Sequence, residues 1–236
     1  MSLLELRREI QAAATPARAA VSRRFFKTGP GQYGEGAKFI GVTMPDARAL
    51  VGRFWSAVTL LEAEELLHSN IHEERMLAVL LLIRHFQKGD DRLRAKMYRL
   101  YLKNTKYINN WDLVDCSAEY IVGAFLADKD RSILRRLAAS KSLWERRIAM
   151  LATFHFIKKG EFDDALAIAE MLVSDRHDLM HKAVGWMLRE IGKRGGQAQE
   201  EKFLQKYAAS MPRTMLRYAI ERFPEPLRKR YLLVRA

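Results

Sequence analysis

His72-Glu73-Glu74-Arg75-Met76-Leu77 recurs along the chain. Trp144-Glu145-Arg146-Arg147-Ile148-Ala149 and Leu179-Met180-His181-Lys182-Ala183-Val184 match it, and Asn109-Asn110-Trp111-Asp112-Leu113-Val114 falls between the first two. With Arg75, Trp111, Arg147 and Lys182 as anchors, the spacings are 36, 36 and 35 residues. A period in this range belongs to stacked helical repeats, in which each unit needs its neighbour to bury its apolar face. Four residues beyond the anchors stand Val79, Asp115, Leu151 and Trp186, one turn further along the same helix face. The anchor row is basic except at Trp111 and reads as exposed, on an inner face. The next row is apolar except at Asp115. A carboxylate in an apolar register is costly unless paired, which singles out Asp115.

The rest of the sequence is consistent with helix throughout. The chain has 236 residues, 49% of them hydrophobic, with only 6 Pro and 13 Gly. No segment alternates with period two for long enough to make a strand. A basic amphipathic helix is expected over 3–24 and a structured connector over 28–44. Helices are then expected near 45–56, 60–68, 71–87, 90–103, 110–127, 129–139, 142–159, 161–173, 178–194, 197–208, 211–223 and 225–233. Lys88-Gly89-Asp90, Lys159-Gly160-Glu161, Gly195-Gly196 and Ser210-Met211-Pro212 punctuate them. The expected fold is an all-α solenoid of antiparallel helix pairs, HEAT-like, with about 35–36 residues per repeat and a concave basic groove. It is expected to form one domain over 1–236, with 1–40 as an N-terminal helix and loop.

Charge is unevenly spread within the net +13. Residues 1–40 carry 7 basic and 3 acidic side chains, 41–130 carry 12 and 13, and 131–236 carry 22 and 12. Such a basic half suits a polyanion such as nucleic acid, or else is a solvated surface. The single Cys116 excludes an internal disulfide and a Cys-rich zinc site. No stretch approaches the roughly 20 apolar residues that span a bilayer, and Met1–Glu9 has no signal-peptide core. A soluble, cytoplasmic monomer without a cofactor is expected.

Trp111 reads either as an aromatic platform for a base, sugar or cation, or as a half-buried packing residue. Asp115 reads either as a carboxylate facing a ligand, or as the partner of Arg147 or Arg146 in the next unit. Arg147, with Arg146, Lys158 and Lys159 near it in sequence, offers donors for phosphate or forms a salt-bridged helix face. Trp186 stands in apolar company, so core packing is its default. Gly185 beside it, within a helix, suggests a close approach there, by a ligand for example. His177 and His181 have i, i+4 spacing but no third ligand at a motif spacing, so no metal site is expected.

Four segments carry a resemblance. Lys106 to Asp115, Leu143-Trp144-Glu145-Arg146-Arg147, His181 to Glu190, and Met211 to Ala219 resemble the AlkD-type DNA alkylation-repair glycosylases. The likeness spans about Lys38 to Arg230. It implies a HEAT-like array that binds double-stranded DNA and removes cationic N3- or N7-alkylated purines by cleaving the N-glycosidic bond, without the usual base-flipping pocket. It assigns Asp115 as the catalytic carboxylate. Trp111 and Trp186 are expected to flank the lesion's deoxyribose, with Arg147 near the lesion and its backbone. Arg146, Lys158, Lys159, Lys182 and Arg217 are the expected backbone contacts. The competing expectation is a non-catalytic HEAT-like module that binds damaged or branched DNA.

Overall fold

The computed structural model describes residues 2–234, and they are helical throughout apart from turns, the connector and one isolated bridge, Lys38 to Ile71. The chain divides into two compact units, Met1–Ser117 and Ala118–Ala236. In the first, the helices are α1 (Leu3–Ala12), α2 (Pro16–Phe25), α3 (Met44–Phe54), α4 (Leu60–Leu67), α5 (His72–Lys88), α6 (Asp91–Lys103) and the short α7 (Trp111–Asp115). In the second they are α8 (Ser132–Ala138), α9 (Leu143–Ala152), α10 (Phe154–Ile157), α11 (Asp163–Leu172), α12 (Asp178–Ile191), α13 (Gln197–Tyr207), α14 (Arg213–Ala219) and α15 (Glu225–Leu233). Sequence neighbours such as α4 with α5 and α8 with α9 pack as pairs, as a helical repeat requires.

The single helix expected over 3–24 is two helices. Leu3, Leu6 and Ile10 form the buried stripe of α1, and Ser2 caps it by accepting from Glu5 N. The chain then breaks: Thr15 N donates to Ile40 O, and Pro16, which has no N–H to satisfy, opens α2. Two other expected helices are also interrupted. In 110–127, Ser117 Oγ bonds back to Leu113 O at 2.5 Å and to the buried Tyr101 hydroxyl at 2.8 Å, and a wide turn follows over Glu119–Gly123. In 142–159, Thr153 Oγ1 donates to Met150 O at 2.6 Å and separates α9 from α10. Such local hydroxyl bonds compete with the helix ladder, and propensity does not reveal them.

The hydrogen bonds give the repeat a register one residue different from the sequence alignment. Ser69 Oγ, Ser140 Oγ and Asp175 Oδ1 each accept from the N–H two residues on, at Ile71, Ser142 and His177. The carbonyls of the same three residues accept from the side chains six positions later: Arg75 at 2.8 Å, Arg146 at 3.1 Å and His181 at 2.6 Å. Arg75 therefore corresponds to Arg146 and His181, not to Arg147 and Lys182. The anchor row is also less exposed than expected, since Arg75 is 5% and Arg147 4% accessible.

The close approach expected at Gly185 is made by another helix. A β-carbon there would lie 2.4 Å from Met215 O and 2.5 Å from Tyr218 Cβ, so glycine lets α14 lie directly on α12. Gly185→Ala is therefore expected to destabilise unit 2 by about 1–3 kcal/mol through overpacking, outweighing the roughly 1 kcal/mol that alanine gains in a helix. Urea denaturation measures this, and an unchanged or higher midpoint contradicts it.

Candidate functional site

In unit 1, α7 is short and starts where Asn110 Oδ1 accepts from Trp111 N at 2.8 Å. Its first and last residues are Trp111 and Asp115, and both line a cavity of about 440 Å³. Asp112, Cys116, His72, Phe26 and Phe39 line the same cavity. The i, i+4 relation read from the sequence thus brings the ring and the carboxylate to one chamber.

The aromatic wall comes from segments distant in sequence. Phe26 stacks on Trp111, with centroids 5.3 Å apart and planes at 23°, and on Phe39 at 5.0 Å and 14°. Phe39 in turn stacks on His72 at 4.5 Å. Phe25 meets Trp111 edge-on at 5.8 Å and is still 62% exposed. Trp111 is thus half-buried and packed against both phenylalanines. The residues after α2, for which sequence reasoning found no role, supply part of this wall. The one sequence signal was two adjacent phenylalanines at the end of a basic helix.

Polar side chains fix the chamber's back. His72 Nε2 lies 2.7 Å from Asp112 Oδ2, and Asp112 Oδ1 accepts from Leu113 N. Glu73 accepts from Ile40 N and Gly41 N, at 3.1 and 2.7 Å. Gly41 has φ of 85° and passes so close to Thr15 O that a β-carbon would overlap it. Beneath them, burial pulls the Arg75 guanidinium below its ordinary value, against the opposing pull of Asp112 and Glu73.

The remaining predicted residues belong to unit 2. Trp186 is half-buried on α12, with Nε1 donating to Glu190 Oε1 at 3.3 Å and its ring 5.9 Å from Phe154. Lys158 Nζ sits 4.4 Å over the Phe154 ring and 2.5 Å from Glu119 Oε1. Arg194 also lies over the Phe154 ring, 4.9 Å from its centroid. Arg147 is buried, and its Nη1 donates to Leu179 O in the first turn of α12. Lys182 pairs with Asp178, while Lys159 and Arg217 are exposed. Arg146 is partly buried and already engaged. Its Nε meets Asp175 at 2.6 Å, and its Nη1 donates to Ser140 O and Lys141 O.

No group of three or more His, Cys, Asp or Glu side chains able to hold a metal occurs among the described residues. No helix among them is long and apolar enough to cross a membrane.

A family model described as DNA alkylation repair enzyme matches residues 6–223. Among solved structures, a predicted DNA alkylation repair enzyme from Enterococcus faecalis is similar in fold, with a TM-score of 0.69 at 17% identity. The match covers 90% of this chain and 97% of that one. Nothing among curated proteins matches the chain.

One consequence of the chamber is chemical. Burial pushes the Cys116 thiol up from its ordinary value, the Asp112 and Asp115 carboxylates push it further, and Arg48 acts in the opposite sense. Only the thiolate is nucleophilic, so alkylation of Cys116 by iodoacetamide near pH 8.5 is expected to run at least about tenfold slower than for an exposed cysteine. Unfolding in guanidinium should restore the rate. Rapid labelling of the folded protein contradicts the assignment.

Proposed function

Because the chain belongs to the DNA alkylation repair enzyme family, we propose that it is a DNA glycosylase that hydrolyses the N-glycosidic bond of cationic N3- and N7-alkylated purines in duplex DNA. The observation that carries this reading is the chamber in which Asp115 and Trp111 meet.

The chemistry follows from the substrate. An N3- or N7-alkylated purine is a cation, so it leaves as a neutral base without being protonated. The bond breaks from C1′, its electron pair goes to the purine nitrogen, and the sugar becomes oxocarbenium-like. The Asp115 carboxylate stabilises that charge, and the electron-rich Trp111 face favours it as it favours other cations. Water then bonds to C1′ and loses a proton, leaving an abasic sugar. One carboxylate without a partner acid suffices for an activated substrate.

Unit 2 supplies the proposed DNA surface, with 23 Lys and Arg against 15 Asp and Glu in residues 118–236. Trp186 is proposed to flank the lesion's sugar. Arg147 is proposed to act at its backbone, steadied by its bond to Leu179 O. Lys159 and Arg217 are exposed for phosphate contact. Lys158 and Lys182 exchange a carboxylate partner for a phosphate. Arg146 is left to its bonds within the fold. The protein acts in this reading as an intracellular monomer.

Two measurements test it. Duplex affinity should fall with salt at a log–log slope of about −4 to −5, as expected for roughly five neutralised phosphates. A flat dependence removes the DNA surface. Asp115→Asn keeps the side chain's shape and removes its charge, so the variant should stay folded and bind duplex while single-turnover excision of 3-methyladenine falls by about 10²-fold or more. If Asp115 serves only in an internal ion pair, the same change should instead lower stability by about 3 kcal/mol and leave excision by the folded fraction intact.

A further inference from the structure

Unit 2 contains another cavity, of about 430 Å³, that no step of the proposed reaction uses. It is lined by the end of α12, the turn Gly192–Gly196, the start of α13 and the corner at Arg222, Phe223 and Pro224. Its charged lining is Arg189, Lys193, Arg222 and Glu200. Arg189 is already bonded to Glu190 and Glu221. Lys193 and Arg222 are exposed, and neither forms an ion pair among the described residues.

Glu200 is the anomaly. It is 1% exposed, stands in the first turn of α13, and its Oε1 has no hydrogen-bond partner. Gly192 makes room for it, since a β-carbon there would overlap Oε2. Leaving a buried polar group unsatisfied costs about 1–3 kcal/mol. Burial, with the neighbouring Glu201 adding to it and Arg189 opposing it, pushes the Glu200 carboxyl up to about 8. At neutral pH it therefore keeps its proton and has an O–H to donate. Two cations at the rim and a neutral donor at the floor form a donor set complementary to an oxyanion. Lys193 and Arg222 repel a cation, and an apolar ligand would leave Glu200 unsatisfied.

We propose that this cavity binds a tetrahedral oxyanion of the phosphate class, held by Lys193 and Arg222 with the Glu200 carboxyl beneath. A backbone phosphodiester of DNA and a free phosphate group share this chemistry. The site does not depend on the glycosylase reading. The groups facing Glu200 are Arg189 from α12, Lys193 from the turn, Arg222 from the corner, Tyr231 from α15 and Glu201 on its own helix. Burial pushes the Tyr231 hydroxyl up as well, so Glu200 is the group that titrates near neutrality. Ionised Glu200 repels an anion, so binding weakens as pH rises through its titration.

Isothermal titration with inorganic sulfate tests this, because sulfate stays doubly charged throughout; chloride holds the ionic strength constant. Wild-type protein should bind one sulfate near pH 6.5, with affinity falling about tenfold or more toward pH 9.5. The Lys193→Ala/Arg222→Ala double variant, with wild-type melting, should lose at least about tenfold. Glu200→Gln is isosteric and still donates, so it should bind sulfate and lose the pH dependence. Displacement of sulfate by an undamaged duplex identifies the occupant as backbone phosphodiester, and persistence of sulfate identifies it as a free phosphate group. The proposal is overturned if wild-type protein binds no sulfate, if the double variant binds it as tightly, or if Glu200→Gln keeps the pH dependence.

Discussion

Four consecutive polar residues at the start of α5 are buried, and each is held by a different part of unit 1. His72 reaches Asp112 on α7, Glu73 takes the Ile40 and Gly41 amides of the connector, Glu74 meets Arg7 on α1, and Arg75 donates to Ser69 O in the preceding turn. Buried charge is tolerated only where it is paired and hydrogen-bonded. These four side chains therefore tie α1, the connector and α7 to one helix end, and the arrangement that satisfies them is the one that shapes the chamber. Removing one partner would leave a charge stranded, so the pattern specifies this packing more than it stabilises it.

The chamber inherits its character from that constraint. Because Glu73 draws in the connector, Phe39 comes to lie against His72 and beneath Phe26. Because Asp112 is engaged by His72 and by Leu113 N, it is held at the back while Asp115, one turn on, stands with Trp111 in the same cavity. A preorganised carboxylate among aromatic faces suits charge that develops as a bond breaks, since little reorganisation is then required. Unit 2 follows another logic: basic side chains lie over an aromatic ring, with Lys158 and Arg194 both over Phe154 and Trp186 next to it.

Much of this was legible in the sequence because it is local. The period near 35 residues, the punctuation between helices and the i, i+4 pairing of Trp111 with Asp115 follow from helix geometry alone. The repeat register slipped by one residue because Arg146 and Arg147 are adjacent and chemically alike; the carbonyl bonded by Arg146 separates them. The run from His72 to Arg75 looks like an ordinary charged first turn, since nothing in its own sequence reveals partners at Arg7, Ile40 and Asp112. Phe26 and Phe39 were missed for the same reason: they join Trp111 only through tertiary packing. Gly185 announced the close approach but not its maker, because a helix lying on it and a ligand lying on it leave the same mark in the sequence.

The proposed reaction removes a cationic base by cutting its bond to the sugar. The most direct measurement is to incubate wild-type protein with a duplex carrying a single 7-methylguanine and to quantify both products. Free 7-methylguanine and an alkali-labile abasic strand are expected in equal amounts, well above spontaneous loss. An intact strand carrying unmodified guanine, or release no faster than in buffer, would contradict it.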